Sequence, residues 1–281
     1  MNYNILVTGS NGQLGTEMRN LSVQYPNHTY FFTDIAELDI TDRAAVARFV
    51  QDNRIDLIVN CAAYTNVDKA EEDEATARLI NATAVENLAV TGVRIIHVST
   101  DYVFSGSESV PCRETDAVAP QTAYGRTKLE GEQLLFAANP EAVVIRTAWL
   151  YSPYGNNFVK TMLRLGAERD ELRVVFDQVG TPTYAADLAA AIFTVIETPE
   201  WYPGIYHFTD EGVCSWFDFT VEILRRAGIS CRVIPIRSAE YAYKTPRPAY
   251  SVLDKAKIKQ TFRVQIPYWT DSLDDCLARM K

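Results

Sequence analysis

Cysteine, histidine and basic charge are all scarce in this 281-residue chain. The five cysteines, Cys61, Cys112, Cys214, Cys231 and Cys276, are odd in number and never closer than 17 residues. That spacing excludes a zinc ribbon or disulfide framework and implies a reducing, cytoplasmic compartment. His28, His97 and His207 show no metal-ligand spacing and read as structural or surface residues. Lys and Arg total 27 against 36 Asp and Glu, a net charge of −9. This argues against a nucleic-acid or anionic-membrane surface but leaves room for a local basic pocket. No apolar run approaches the roughly 20 residues that cross a bilayer, and Met1 to Val7 lacks a basic stretch leading into a long apolar segment. Neither a membrane helix nor an export signal is therefore expected. There is no internal repeat or low-complexity tract. What remains is a 47% apolar sequence, enough core for one large domain or two smaller ones.

The first half alternates short apolar runs with longer amphipathic segments. Ile5–Thr8, Tyr30–Thr33, Leu57–Asn60, Arg94–Val98 and Ala142–Arg146 read as strands; Gln13–Leu21, Arg43–Asn53, Ala70–Val90 and Tyr124–Ala138 read as helices. This rhythm predicts a parallel sheet covered on both faces, an α/β doubly wound fold. After Trp149 the rhythm breaks into a turn-rich stretch, helices at Phe158–Arg169, Ala185–Glu197 and Trp216–Ala227, short strands and scattered prolines. A smaller mixed α/β lobe is expected there. The expected division is a dinucleotide-binding domain over 1–150 and a mainly substrate-binding lobe over 151–281, with part of 180–200 returning to the first. The acidic run from Asp68 to Glu74 falls where a helix begins and reads as dipole capping and solvation.

Gly9-Ser10-Asn11-Gly12-Gln13-Leu14-Gly15 follows the first strand and opens the first helix. Glycines there let backbone N–H groups and a helix N-terminus approach a pyrophosphate, the Rossmann arrangement. Asp34 lies 19 residues past Gly15, where an acid can hydrogen-bond an adenosine ribose, though a turn-forming role fits the same residue. Asp39 and Ile40 precede a helix cap expected at Thr41, and either border the adenine or belong to the capping segment. Further on, Tyr124 and Lys128 stand at i and i+4, on one helical face. A phenol becomes a useful proton donor near neutral pH when a cation favours its phenolate, and Lys128 is one turn away. Ser99, Thr100 and Asp101 end the fourth strand, where ligands of open parallel sheets collect and a hydroxyl can bind a substrate carbonyl.

Glycine turn, strand-end hydroxyl and Tyr-x-x-x-Lys, in this order, resemble the extended short-chain dehydrogenase/reductases. The blocks Gly12-Gln13-Leu14-Gly15, Asn60 to Glu71, Ser99 to Phe104, Tyr124 to Lys128, Arg146 to Trp149 and Gly155 to Phe158 together resemble the dTDP-4-dehydrorhamnose reductase family, and Arg247-Pro248 with Ser251 and Leu253 extends the likeness. The resemblance implies reduction of the 4-keto group of dTDP-4-dehydro-β-L-rhamnose with NADPH or NADH, by a monomer or homodimer. It implies that Thr100, Tyr124 and Lys128 are catalytic, and that Ala62, Ala63 and Tyr64 hold cofactor together with the glycine turn (Gly9, Asn11, Gly12, Gln13, Leu14). It further implies that Thr65, Val67, Asp101 and Trp149 border the sugar. Arg247 is the expected phosphate grip, with Lys160 a lesser candidate. Some members bridge two subunits through magnesium held partly by an acid at the position of Glu17. Here the second acid is replaced by Ala186, with Asp187 about 100° further round a helix, which disfavours magnesium without excluding it. A dehydratase of this superfamily usually carries an Asp-Glu pair after the threonine, whereas Asp101-Tyr102 stand here. A related epimerase and a non-catalytic binding module are the other readings.

Overall fold

The computed structural model describes residues 2–242 and 244–280. Six parallel strands form its main sheet: β1 (Asn4–Thr8), β2 (Thr29–Phe32), β3 (Leu57–Asn60), β4 (Arg94–Thr100), β5 (Val143–Thr147) and, far along the chain, Gly204–His207, which is β10 after the short β6 (Leu150–Tyr151), β7 (Glu171–Val175), β8 (Val179–Gly180) and β9 (Thr183–Tyr184). The spatial order is β10-β5-β4-β3-β1-β2, so the strand order reverses beside β1 and leaves a crevice at the carboxyl ends. Ile5, Leu6 and Val7 are fully buried because both sheet faces are covered. The helices α1 (Gln13–Ser22) and α8 (Ala185–Glu197) pack together on one face. On the other lie α2 (Arg43–Asp52), α5 (Ala84–Ala89) and α6 (Ala123–Ala138).

The expected single helix over Ala70–Val90 is divided into α3 (Val67–Glu72), α4 (Glu74–Arg78), a π-helical turn at Leu79–Thr83, and α5. Asp73 leaves helical geometry at φ −141° and caps α4 by accepting from the Thr76 N–H at 3.0 Å. The π turn swells where Gly131 of α6 is pressed against the Asn81 carbonyl, a contact that admits no Cβ. Nor does Thr41 cap α2. Its hydroxyl and N–H are donated back to Asp39, and Asp42 accepts from the Ala44 and Ala45 N–H groups instead.

Beyond β5 a second apolar cluster joins α7 (Phe158–Glu168), α9 (Trp216–Ala227) and α11 (Trp269–Ala278) with β7, β11 (Cys214–Ser215) and β12 (Arg232–Ile236) around Tyr151 and Phe219, whereas α10 (Ala256–Phe262) turns back onto β10 and packs Ile258 and Phe262 into the main-sheet core. The pairing of β7 with β12 is parallel and that of β8 with β11 antiparallel. Among the described residues, no helix is long and apolar enough to cross a membrane, and all five cysteines are free thiols.

Candidate active site

Gly9 turns the chain out of β1 at φ +62°, and a Cβ there would lie 2.7 Å from the backbone of Ala62. Only glycine lets the ends of β1 and β3 approach this closely. The following helix α1 starts at Gly12 without a side-chain cap, leaving its first N–H groups open. Beside this turn, Asp34 accepts from the Asn11 N–H at 3.0 Å and from the Ile35 N–H at 2.9 Å. Its carboxylate therefore forms the turn and stands beside the glycine loop. Asp39 is engaged by Thr41, and the Ile40 side chain is buried in the sheet core.

A cavity of about 510 Å³ runs from Gly9, Gly12, Gln13 and Leu14 past Ala63, Thr65 and Val67 to Thr100, Asp101, Tyr124, Lys128 and Trp149. Sequence-distant candidates thus line one space. Tyr64 is clamped from behind: its N–H donates to Asn81 Oδ1 at 2.8 Å and its carbonyl accepts from Asn81 Nδ2 at 3.1 Å. The π turn that interrupts the expected helix is what aims Asn81 inward.

Helix α6 is fixed at its start by Thr122, which accepts from the Gly125 N–H at 3.0 Å, and by Glu71, which accepts from the Ala123 N–H at 2.6 Å. Tyr124 is half-buried at the cavity wall; desolvation raises its phenol well above the ordinary range, with the neighbouring Thr100 hydroxyl opposing and Asp101 and Tyr102 adding to the shift. The phenol is accordingly protonated at neutral pH. Thr100 Oγ1 donates to Asp101 Oδ1 at 2.9 Å. Burial pushes the Asp101 carboxyl up to about 7 against that bond. Lys128 is 1% exposed, donates to the Val98 carbonyl at 2.7 Å, and is pushed down to about 8 by burial, with Glu132 opposing. Ser99 Oγ is buried with no hydrogen-bond partner among the described residues.

Trp149 adopts φ +51° and stacks on Trp216 with ring centroids 3.5 Å apart and planes 9° from parallel. The stack separates the first cavity from a second, of about 720 Å³, that Phe158, Met162, Arg173, Trp216 and Arg247 help to line. Arg247 faces this space, yet its guanidinium is already paired with Asp68 at 2.9 Å. The acidic run is therefore more than capping: Asp68 holds Arg247, Glu71 and Glu74 meet Arg126, and Glu72 meets Lys244. Lys160 Nζ is exposed and bonded to the Pro153 carbonyl at 3.3 Å. Glu17, at the position of the family's metal acid, is buried against Arg279 at 2.9 Å, and Asp187 accepts from the Ser272 hydroxyl at 2.6 Å. Glu17 Oε1 is left without a hydrogen-bond partner among the described residues, and burial raises the Asp187 carboxyl, with the nearby Asp275 and Glu17 adding to the shift and the Ser272 hydrogen bond opposing it.

Sequence reasoning passed over Asn60, Asn81, His97 and the link from Gln13 to the second lobe, where Gln13 Oε1 accepts from Ser152 Oγ at 3.1 Å and Asn157 Nδ2 at 2.9 Å. None carries a motif of its own; only the fold brings them to the site.

The profile of the family described as RmlD substrate binding domain matches residues 3–281. A dTDP-4-dehydrorhamnose reductase of Aggregatibacter actinomycetemcomitans is 40% identical over 98% of each chain. Among solved structures, a dTDP-4-dehydrorhamnose reductase of Clostridium acetobutylicum superposes with a TM-score of 0.95 at 45% identity, over 100% of this chain and 99% of that one. The Bacillus anthracis dTDP-4-dehydrorhamnose reductase in complex with NADP superposes with a TM-score of 0.95 at 38% identity, over 99% of this chain and 100% of that one.

Proposed function

The chain belongs to the dTDP-4-dehydrorhamnose reductase family, and from that premise we propose that it reduces the 4-keto group of dTDP-4-dehydro-β-L-rhamnose to dTDP-L-rhamnose with NADPH or NADH as reductant. The observation that carries the reading is one cavity with an open glycine turn at one end and Thr100, Tyr124 and Lys128 at the other. The NADP complex of the Bacillus anthracis relative supports the cofactor class, and the uncapped start of α1 fits a pyrophosphate.

In this reading the glycine turn, Asp34, the Asp39-Ile40 segment and Ala62 to Tyr64 hold the dinucleotide, and Lys128 holds the nicotinamide ribose. A bound nicotinamide supplies hydride to carbon 4 of the sugar. Thr100 orients the keto oxygen by hydrogen bonding, and Tyr124 donates its phenolic proton to the oxygen as negative charge develops there. The Lys128 ammonium stabilises the phenolate left behind. Thr65, Val67, Asp101 and Trp149 border the sugar, while Arg247, with its Asp68 pair, faces the nucleotide and its phosphates. The free thiols support work in the cytoplasm.

Loss of NADPH absorbance on adding the 4-keto sugar nucleotide, with formation of the 4-hydroxy product, tests the proposal. Tight NADPH binding with no turnover would leave a non-catalytic binding protein.

A further inference from the structure

Behind the cavity, β4 carries His97, a fully buried imidazole that the proposed reaction does not use. Its Nδ1 lies 2.9 Å from Asn60 Nδ2, and its Nε2 lies 3.3 Å from Lys128 Nζ. The orientation of Asn60 is dictated from its other side. The Ala62 backbone N–H, which can only donate, reaches Asn60 Oδ1 at 3.1 Å, and the Thr8 hydroxyl donates to the same oxygen at 2.7 Å. The amide NH₂ group must therefore face His97, and His97 Nδ1 must be the acceptor. Burial and the neighbouring lysine hold the imidazole far below its ordinary range, so the ring is neutral and carries one proton. That proton is on Nε2, directed at the lysine nitrogen.

We infer that His97 is a positioning residue for Lys128, locked by Asn60 into a tautomer that presents an N–H donor to the amine and so sets how readily the lysine gives up its proton. A donor at that face is satisfied by the lone pair of the amine and opposed by the ammonium. The other groups around Lys128 are few. Val98 of β4 accepts from it, Glu132 of α6 favours the ammonium but is itself gripped by Arg146 of β5, and Asp101 and Tyr124 share the cavity. The relevance of this to turnover rests on the part given to Lys128 in the proposed reaction, whereas the tautomer itself does not.

Nitrogen NMR of ¹⁵N-histidine-labelled, cofactor-free protein reads the tautomer directly. The expected spectrum has His97 Nε2 protonated and Nδ1 bare; the opposite assignment would overturn the inference whatever the enzyme reduces. Side-chain NMR titration of Lys128 in the same resting protein then compares the parent with His97→Met, whose thioether is a weak acceptor for Asn60 but donates nothing, and His97→Phe, which removes both donor and acceptor. Both variants should raise the Lys128 midpoint by about one pH unit, the change expected when one net hydrogen bond is lost. The basic limb of kcat should move by the same amount. A merely structural role would lower kcat at every pH and leave the midpoint in place, and either that result or a downward shift would refute the assignment. Should His97→Phe not fold, the Met variant carries the test alone.

Discussion

Gly180→Ala reaches the site through one indole ring. A Cβ at position 180 would lie 2.7 Å from Trp149 Cε2, 2.9 Å from Cζ2 and 2.4 Å from Ser251 Oγ. The serine hydroxyl can rotate away. The ring cannot do so easily, because it is stacked on Trp216 at 3.5 Å and anchored by a residue at φ +51°. To regain ordinary contact at 3.4 Å it must retreat by about 0.7 Å. Overpacking of this kind costs about 1–3 kcal/mol, and part of the roughly 0.5–1.5 kcal/mol carried by the aromatic pair is lost with it. Expressed wholly in sugar binding, at about 1.4 kcal/mol per tenfold, that is a rise in KM for the nucleotide sugar of roughly 5-fold to several hundredfold. Steady-state kinetics at saturating NADPH gives that KM, and fluorescence titration gives the NADPH Kd, which should move less than about twofold because the glycine turn is untouched. Pairing Gly180→Ala with Trp149→Phe, which shortens the ring, should relieve much of the added defect. An unchanged KM in the single variant, accompanied by a lowered melting temperature, would show that the strain is absorbed elsewhere and that Trp149 does not border the sugar.

Asp34→Ala should shift cofactor preference toward NADPH by about 1–3 kcal/mol in the ratio of kcat/KM values, the scale of a charge-assisted hydrogen bond; an unchanged ratio would leave Asp34 with the Asn11 turn alone. Glu132→Gln leaves the 2% exposed Arg146 side chain without its buried counter-charge, and urea unfolding should show about 3–5 kcal/mol lost; a loss under about 1 kcal/mol would mean the pair is replaced by water. Arg247→Ala should raise KM for the nucleotide sugar well beyond any effect on NADPH, with Arg247→Lys restoring only part because the planar fork is gone; Asp68→Asn, which releases the same arginine, separates loss of the ion pair from loss of the ligand contact. The cation at Lys128 is required in the proposed step and its pKa is depressed to about 8, so kcat should fall as pH rises through about 8; a plateau persisting past pH 10 would exclude that requirement.

The strands were legible because a doubly covered parallel sheet writes itself as short, wholly apolar runs, as at Ile5–Val7 and Leu57–Val59. Helix α8 was legible for a related reason, since most of the apolar side chains of Ala185–Glu197 are buried. The broken segment after Asn66 was not legible. Nothing in a helical pattern announces that Asp73 will restart the helix or that Gly131, some fifty residues later, will press out a π turn at Asn81. Sheet membership of Gly204–His207 was equally hidden, because a strand added at the β5 edge is chosen by tertiary pairing. That Tyr124, Lys128 and Thr100 line one cavity was readable from spacing and strand position. The Asp68–Arg247 pair, the Trp149–Trp216 stack and the His97–Lys128 contact join residues whose separation in sequence carries no signal. Arg247 was singled out for its charge and its flanking prolines, and sequence could not show that Asp68 already holds it.

The central claim is that Tyr124 delivers the proton while hydride passes to carbon 4, and one measurement addresses it. With the 4-keto sugar nucleotide and NADPH deuterated at the transferable position, the parent protein should form product labelled at carbon 4. Tyr124→Phe should lower that single-turnover rate by roughly 10²- to 10⁴-fold with NADPH affinity nearly unchanged. Label absent from carbon 4, or a Tyr124→Phe rate within a few fold of the parent, would contradict the account.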